Sequence, residues 1–214
     1  MSKDFDQAEF WINRHIVYKD DPRSVGNAAV SVEANLDGEK DLQAAIAQLA
    51  KRFSSHNYST VLDLGCGYGR VADSFISNGF KYTGIDISKD ALETAKKQYP
   101  QGKFIQGDLR NIKLDSKFDV VSILYVLVHF VDDSDWKSFL RTACEYLTPG
   151  GKLVFADHFP TERSSPVAHA VSRPIGDYID FFREVGMELD SELQKDFASE
   201  PFACVPAFRF AKKA

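Results

Sequence analysis

Three aspartates stand where apolar runs end: Asp63 in TVLDLGCGYGR, Asp86 in KYTGIDIS and Asp108 in KFIQGDLRNI. The first is followed by Gly65, Gly67 and Gly69 at alternate positions. Glycines there let the backbone turn tightly and approach a ligand, and a helix starting behind them offers free N–H groups. Asp86, 21 residues after Gly65, stands where an acid can accept hydrogen bonds from both hydroxyls of a ribose. It is also placed to cap the helix that begins near Ser88, and Asp63 can be a structural acid. Further along, Tyr125 and His129 follow another apolar run in LYVLVHF, and His158 follows a later one in FADHFP. Either histidine can act as a base or simply pack.

Those residues need a scaffold that brings strand ends together. EKDLQAAIAQLAKRF puts Leu42, Ile46, Leu49 and Phe53 at helical spacing, and TVLDL is a short buried strand. Residues 69–78 form a helix closed by Gly79, FKYTGIDI is a second strand, and Ser88 caps a helix that stops at Pro100. KFIQGD and FDVVSIL are strands, DSDWKSFLRTACEYL is an amphipathic helix, and GGKLVFAD is a fifth strand. Alternation of this kind predicts a parallel sheet covered on both faces with right-handed crossovers. Residues 158–176 lack sustained period and read as a long binding loop, and DYIDFFREVG as a helix. MELDSELQKDF and ACVPAFRFAKKA then read as two strands pairing antiparallel at the edge, with Pro206 favouring an edge position.

In an open sheet of this type, ligands bind beyond the carboxyl ends of the strands, where strand order reverses. The dinucleotide pattern G-x-G-x-x-G would need glycine at position 70, which is Arg70, so a NAD-dependent oxidoreductase is disfavoured. The run VLDLGCGYGR resembles the first motif of the class I S-adenosylmethionine (SAM) dependent methyltransferases, and the likeness spans roughly residues 58–158. The resemblance implies a Rossmann-like, doubly wound α/β fold with a mostly parallel seven-stranded sheet and an antiparallel edge strand. It implies a cofactor site made by Asp63, Gly65, Cys66, Gly67, Gly69, Arg70, Asp86, Ile87, Asp108, Leu109 and Leu124. Asp63 would lie near the ammonium end and help order the loop, Asp86 would take the ribose, Ile87 would pack on adenine, and Asp108 with the Leu109 N–H would read its edge. The Asn- or Asp-Pro-Pro-aromatic run of amine and amide methylating enzymes of this fold is missing after the fourth strand. The segment is more similar to that of small-molecule methyltransferases, with Tyr125, His129 and His158 near the acceptor.

The N-terminal 38 residues read as a helical lid ahead of a SAM-binding domain at 39–214, the whole forming one compact unit. If residues 5–18 are helical, Phe5, Ala8, Ile12 and Ile16 form one apolar face, while Trp11, Arg14 and Tyr18 form another. The second face can contact cofactor or acceptor, or Trp11 can pack on the core with Arg14 solvated. His15 and His56 read as surface residues, and nothing marks His169. A non-catalytic SAM-binding module and an aminopropyl transferase using decarboxylated SAM are the remaining alternatives.

The 214 residues carry 26 basic and 31 acidic side chains, a net charge of -5, which predicts no general affinity for nucleic acid. The charged N-terminus lacks a leader pattern and no apolar run approaches a membrane span, so a cytoplasmic, membrane-free protein is expected. Cys66, Cys144 and Cys204 fit neither a disulfide framework nor a zinc site, and no metal-binding cluster is visible. The expectation is therefore metal-independent methyl transfer from SAM, leaving S-adenosylhomocysteine (SAH), to a small-molecule acceptor.

Overall fold

The computed structural model describes residues 6–19 and 21–213. Helix α1 (Gln7–Val17) is capped by Asp6, whose carboxylate accepts from the Glu9 N–H at 3.0 Å. A short turn at Pro22–Ser24 leads to α2 (Val32–Ser55), capped by Ser31. This helix runs through residue 38, so no break in the chain separates the N-terminal segment from the sheet-bearing remainder. Phe5, assigned above to the apolar face of the lid, lies outside the described residues.

Strand β1 (Thr60–Leu64) opens the sheet and is followed by α3 (Ala72–Ile76), β2 (Lys81–Asp86), α4 (Lys89–Gln98) and β3 (Lys103–Gln106). Ser88 caps α4 by accepting from the Ala91 N–H at 3.2 Å. The second half comprises β4 (Phe118–Leu124), α5 (Asp133–Glu145) and β5 (Leu147–Ala156). A hairpin of β6 (Ser164–Val167) and β7 (Ala170–Ser172) follows, then α6 (Ile175–Glu184), β8 (Met187–Leu189), α7 (Ser191–Phe197) and β9 (Phe208–Lys213).

Seven strands form one sheet in the order β3-β2-β1-β4-β5-β9-β8. The first five are parallel, and β9 runs antiparallel to both β5 and β8. This is the doubly wound arrangement: the chain moves outward from β1 in one direction, then returns to place β4 on its other side. Each face carries its own core. Phe53, Phe75, Phe104 and Phe210 belong to one layer, and Phe139, Phe155, Tyr178 and Phe182 to the other.

Two sequence expectations are corrected. The segment SELQKDF is α7, not strand, because Asp190 caps it with a hydrogen bond from the Leu193 N–H at 3.1 Å. Pro206 lies in a one-turn helix at Val205–Ala207 ahead of β9, so the strand itself contains no proline. In addition, the 158–176 stretch is not wholly irregular, since the β6–β7 hairpin lies within it.

Candidate active site

The carboxyl ends of β1 and β4 diverge and leave a cleft of about 830 Å³ between them, roofed by α1. Gly65 lines its floor and Gly67 shapes the loop behind it, both in conformations that side chains rarely adopt, with φ of +83° and +55°. A Cβ at Gly65 would fall 2.4 Å from a Val126 methyl, and one at Gly67 would fall 2.6 Å from Val25. Only glycine fits either position.

Asp86, 8% exposed, stands at the end of β2 beside this loop. Its Oδ2 accepts from the Gly67 N–H at 2.8 Å and its Oδ1 from the Ser88 N–H at 2.9 Å. Each oxygen keeps further acceptor capacity, in a residue that borders the cleft. The carboxylate thus ties the glycine loop to the start of α4, while Ser88 performs the capping that the sequence left open to Asp86.

Arg70 also lines the cleft. Its guanidinium lies over the Tyr125 ring at 5.8 Å and makes no ion pair among the described residues. Ile87, Asp108, Leu109, Cys66 and Leu124 complete the wall, so eight of the eleven residues assigned to the cofactor border one cavity. Asp108 is gripped by the Arg110 guanidinium at 2.5–3.0 Å. Burial alone would raise the Asp108 carboxyl, but the Arg110 hydrogen bonds outweigh it and bring it below the usual range.

The other three lie behind the wall. Asp63 is buried under the loop and accepts from the Tyr82 hydroxyl at 2.6 Å. Burial lifts its carboxyl to about 6 despite that hydrogen bond. Its buried place under the loop suits the loop-ordering part that the resemblance implies for it. Gly67 and Gly69 act through backbone shape, and an added Cβ at Gly69 would press on Tyr99 at 3.1 Å.

Beyond Leu124 the cleft continues to Tyr125, His129 and Trp11. Tyr125 has φ of +59°, a conformation that costs a non-glycine residue roughly 1–3 kcal/mol. Its N–H donates to the Ala156 carbonyl at 2.7 Å, which holds the turn, and burial raises its hydroxyl to about 12. His129 ends the Leu127–His129 turn, edge-on to Trp11 with ring centroids 4.5 Å apart. Its Nδ1 lies 3.1 Å from the His169 carbonyl oxygen. A carbonyl only accepts, so Nδ1 carries the proton of the neutral ring and Nε2 the lone pair. Burial lowers the imidazole to about 4, which keeps it neutral at ordinary pH.

The roof differs from its expected form. Among the three residues assigned to its inward face, Trp11 reaches the cleft, whereas Arg14 and Tyr18 do not. Arg14 donates to the Arg23 carbonyl at 2.8 Å and the Gly26 carbonyl at 2.6 Å, tying α1 to the following turn. Tyr18 borders a second cavity of about 690 Å³ between α1, α2 and α4. The face read as apolar core, with Ile12 and Ile16, is turned outward, Ile16 being 55% exposed. His158 is exposed and outside the cleft, its ring 6.0 Å from Tyr125.

Sequence reasoning missed one residue that lines the cleft, His15, and two beyond its lining, His169 and Asp157. His15, read as a surface residue, is 5% exposed and borders both cavities. The signal was available: it lies four residues after Trp11, on the same helix face. His169 stacks on Phe10 at 4.3 Å and brings the hairpin against the roof, which no local pattern announces. Asp157, at the end of β5, is buried beside the Tyr178 hydroxyl at 3.3 Å, and burial lifts it to about 7. Its place after an apolar strand, in FADHFP, matched the other three acids. Among the described residues, no group of three or more His, Cys, Asp or Glu is placed to hold a metal. No described helix is long and apolar enough to cross a membrane.

Comparison with known proteins gives this geometry its context. Residues 61–151 match a family described as a methyltransferase domain. The chain is 29% identical over 118 residues to the dTDP-3-amino-3,4,6-trideoxy-alpha-D-glucopyranose N,N-dimethyltransferase of Streptomyces venezuelae, covering 54% of this chain and 50% of that protein. It is 30% identical over 156 residues to the malonyl-[acyl-carrier protein] O-methyltransferase of Enterobacter lignolyticus, covering 68% and 59%. The chain thus spans about half the length of the curated relatives it matches. Among solved structures, magnesium protoporphyrin IX methyltransferase of Synechocystis PCC 6803 with bound SAM superposes over 100% of both chains, with a TM-score of 0.72 at 16% identity. The SAM-bound amino pentose methyltransferase CalS10 of Micromonospora echinaspora superposes with a TM-score of 0.68 at 18% identity, over 85% and 96%. At those identities the likeness is one of fold.

Proposed function

We propose, from the premise that residues 61–151 are a class I SAM-dependent methyltransferase domain, that this chain methylates an oxygen or nitrogen of a small-molecule acceptor. The observation that carries the reading is one cleft holding two underused groups of opposite sign. Asp86 keeps acceptor capacity on both oxygens, and Arg70 has no ion-pair partner among the described residues. A ribose diol and a methionine carboxylate are their complements. The glycine floor leaves no room for side chains there, and Ile87 and Leu109 offer apolar contact for a purine.

When bound, SAM supplies a methyl on a positively charged sulfur, open to in-line displacement without a metal. The protein's part is to hold the acceptor atom roughly 3 Å from that methyl and to keep water out, since proximity and orientation supply most of the acceleration. Trp11, Tyr125 and Phe130 form an aromatic wall suited to that exclusion. If the acceptor must lose a proton, His129 Nε2 is a neutral lone pair held in place through Nδ1. A carboxylate acceptor would not need it. His158, exposed outside the cleft, is not assigned a catalytic part. The free Arg70 also argues for SAM over its decarboxylated form, because that form has no carboxylate to bind.

The matched relatives include an N,N-dimethyltransferase and several O-methyltransferases, so the acceptor atom is set by experiment. The protein is incubated with SAM and separate pools of amino sugars, phenols and carboxylic acids, and products are read by mass. One pool should yield a methylated product in step with SAH. Failure of every pool in a protein that binds SAH would favour the non-catalytic binding module.

A further inference from the structure

His15 belongs to the lid helix, yet its side chain is among the buried polar groups of the molecule, 5% exposed. It stands in the wall between the cleft and the second cavity. The ring approaches the glycine loop so closely that a Cβ on Gly67 would lie 4.0 Å from its Cε1. The nearby charges are Asp86, Asp90 and Arg14, and burial, outweighing the attraction of both acids, lowers the basicity of the ring. No hydrogen bond to its nitrogens is found among the described residues; its ring neighbour is Trp11, 6.5 Å away. The imidazole N–H thus has no protein acceptor among the described residues, in a side chain that borders the cleft. A ligand in the cleft is the natural source of that partner.

The position of His15 selects which part of the ligand. Asp86 can accept from two vicinal hydroxyls, but each hydroxyl oxygen keeps lone pairs that would then be shut away from water. A donor on the opposite side satisfies one of them. His15 lies near Asp86 and Gly67, whereas Arg70 is paired with the Tyr125 ring. Resting on the methyltransferase reading above, the geometry points to His15 as a cofactor-binding residue that donates from the N-terminal helix to a ribose hydroxyl held by Asp86. The sugar is thereby gripped from both sides, and cofactor occupancy fastens the roof to the floor.

The test is a set of calorimetric titrations of SAH, 2′-deoxy-SAH and 3′-deoxy-SAH into the parent protein and His15→Phe, with His15→Leu in reserve if the Phe variant does not fold. The parent should bind SAH roughly 10-fold more tightly than the variant, the worth of one charge-neutral hydrogen bond. For one deoxy analogue, the one lacking the hydroxyl that His15 contacts, parent and variant should bind alike. An equal loss with SAH and both analogues would show that His15 acts by packing alone and would overturn the assignment. So would a folded variant with parental SAH affinity. A parent protein that binds no SAH would instead sink the methyltransferase reading, and this inference with it.

Discussion

At the scale of single residues, the site depends on which groups are kept neutral. Burial holds His129 at about 4 in the folded protein, below the ordinary imidazole value of about 6.5. The stability tied to its neutral form is therefore whole above pH 6.5 and is lost as pH falls from there toward 4. At 1.36 kcal/mol per unit, the difference amounts to about 3 kcal/mol. His129→Gln cannot titrate, so between pH 7.5 and 4.5 it should lose less stability than the parent, by roughly 2–3 kcal/mol, in urea unfolding at each pH. A gap between parent and variant that does not change with pH would mean an ordinary imidazole. Sequence alone located His129, Asp86 and Arg70, because position after a strand is a local property. It could not see the His169 carbonyl that sets the tautomer, 40 residues away, nor the depth that makes His15 a site residue.

At the scale of elements, the Trp11 face of α1 reaches the cleft, one of the two outcomes its sequence leaves open, while the Ile12 and Ile16 face is not a core face. Ile12 and Ile16 suggested a core-facing stripe, yet the helix turns Trp11 and His15 inward and leaves Ile16 and Val17 55% and 73% exposed. The periodicity was legible, but its direction was not, since a roof packs on a ligand cleft and needs aromatic and polar groups where a core helix needs aliphatic ones. The β6–β7 hairpin escaped notice for a related reason: SSPVAHAVS has no alternation, and β6 is exposed throughout. Helix and hairpin meet through Phe10 and His169, and α1 is stapled by Arg14 to the turn beyond it. Deleting residues 1–25 should therefore leave a core that melts cooperatively but binds SAH more than 10-fold more weakly, having lost the His15 contact and the roof. Parental SAH affinity in the truncated protein would reduce α1 to a packing element.

At the scale of the molecule, strand order explains why the site lies where it does. The reversal between β1 and β4 opens the cleft, and Asp63, Asp86 and Asp108 follow or end three neighbouring strands of one half. The parallel core was legible in the alternation of apolar runs and helical spacings. The far edge was less so, because the short β8 and the capped α7 share one polar stretch whose period suits neither clearly. The central claim is that this cleft takes SAM, and titration calorimetry tests it most directly, with SAH and NAD added separately to the parent protein and to Asp86→Ala. The account predicts micromolar-scale binding of SAH to the parent, no saturable binding of NAD, and a loss of roughly 2–3 kcal/mol in Asp86→Ala as its charge-assisted hydrogen bonds disappear. Saturable NAD binding, absent SAH binding, or a folded Asp86→Ala that binds SAH as the parent does would contradict it.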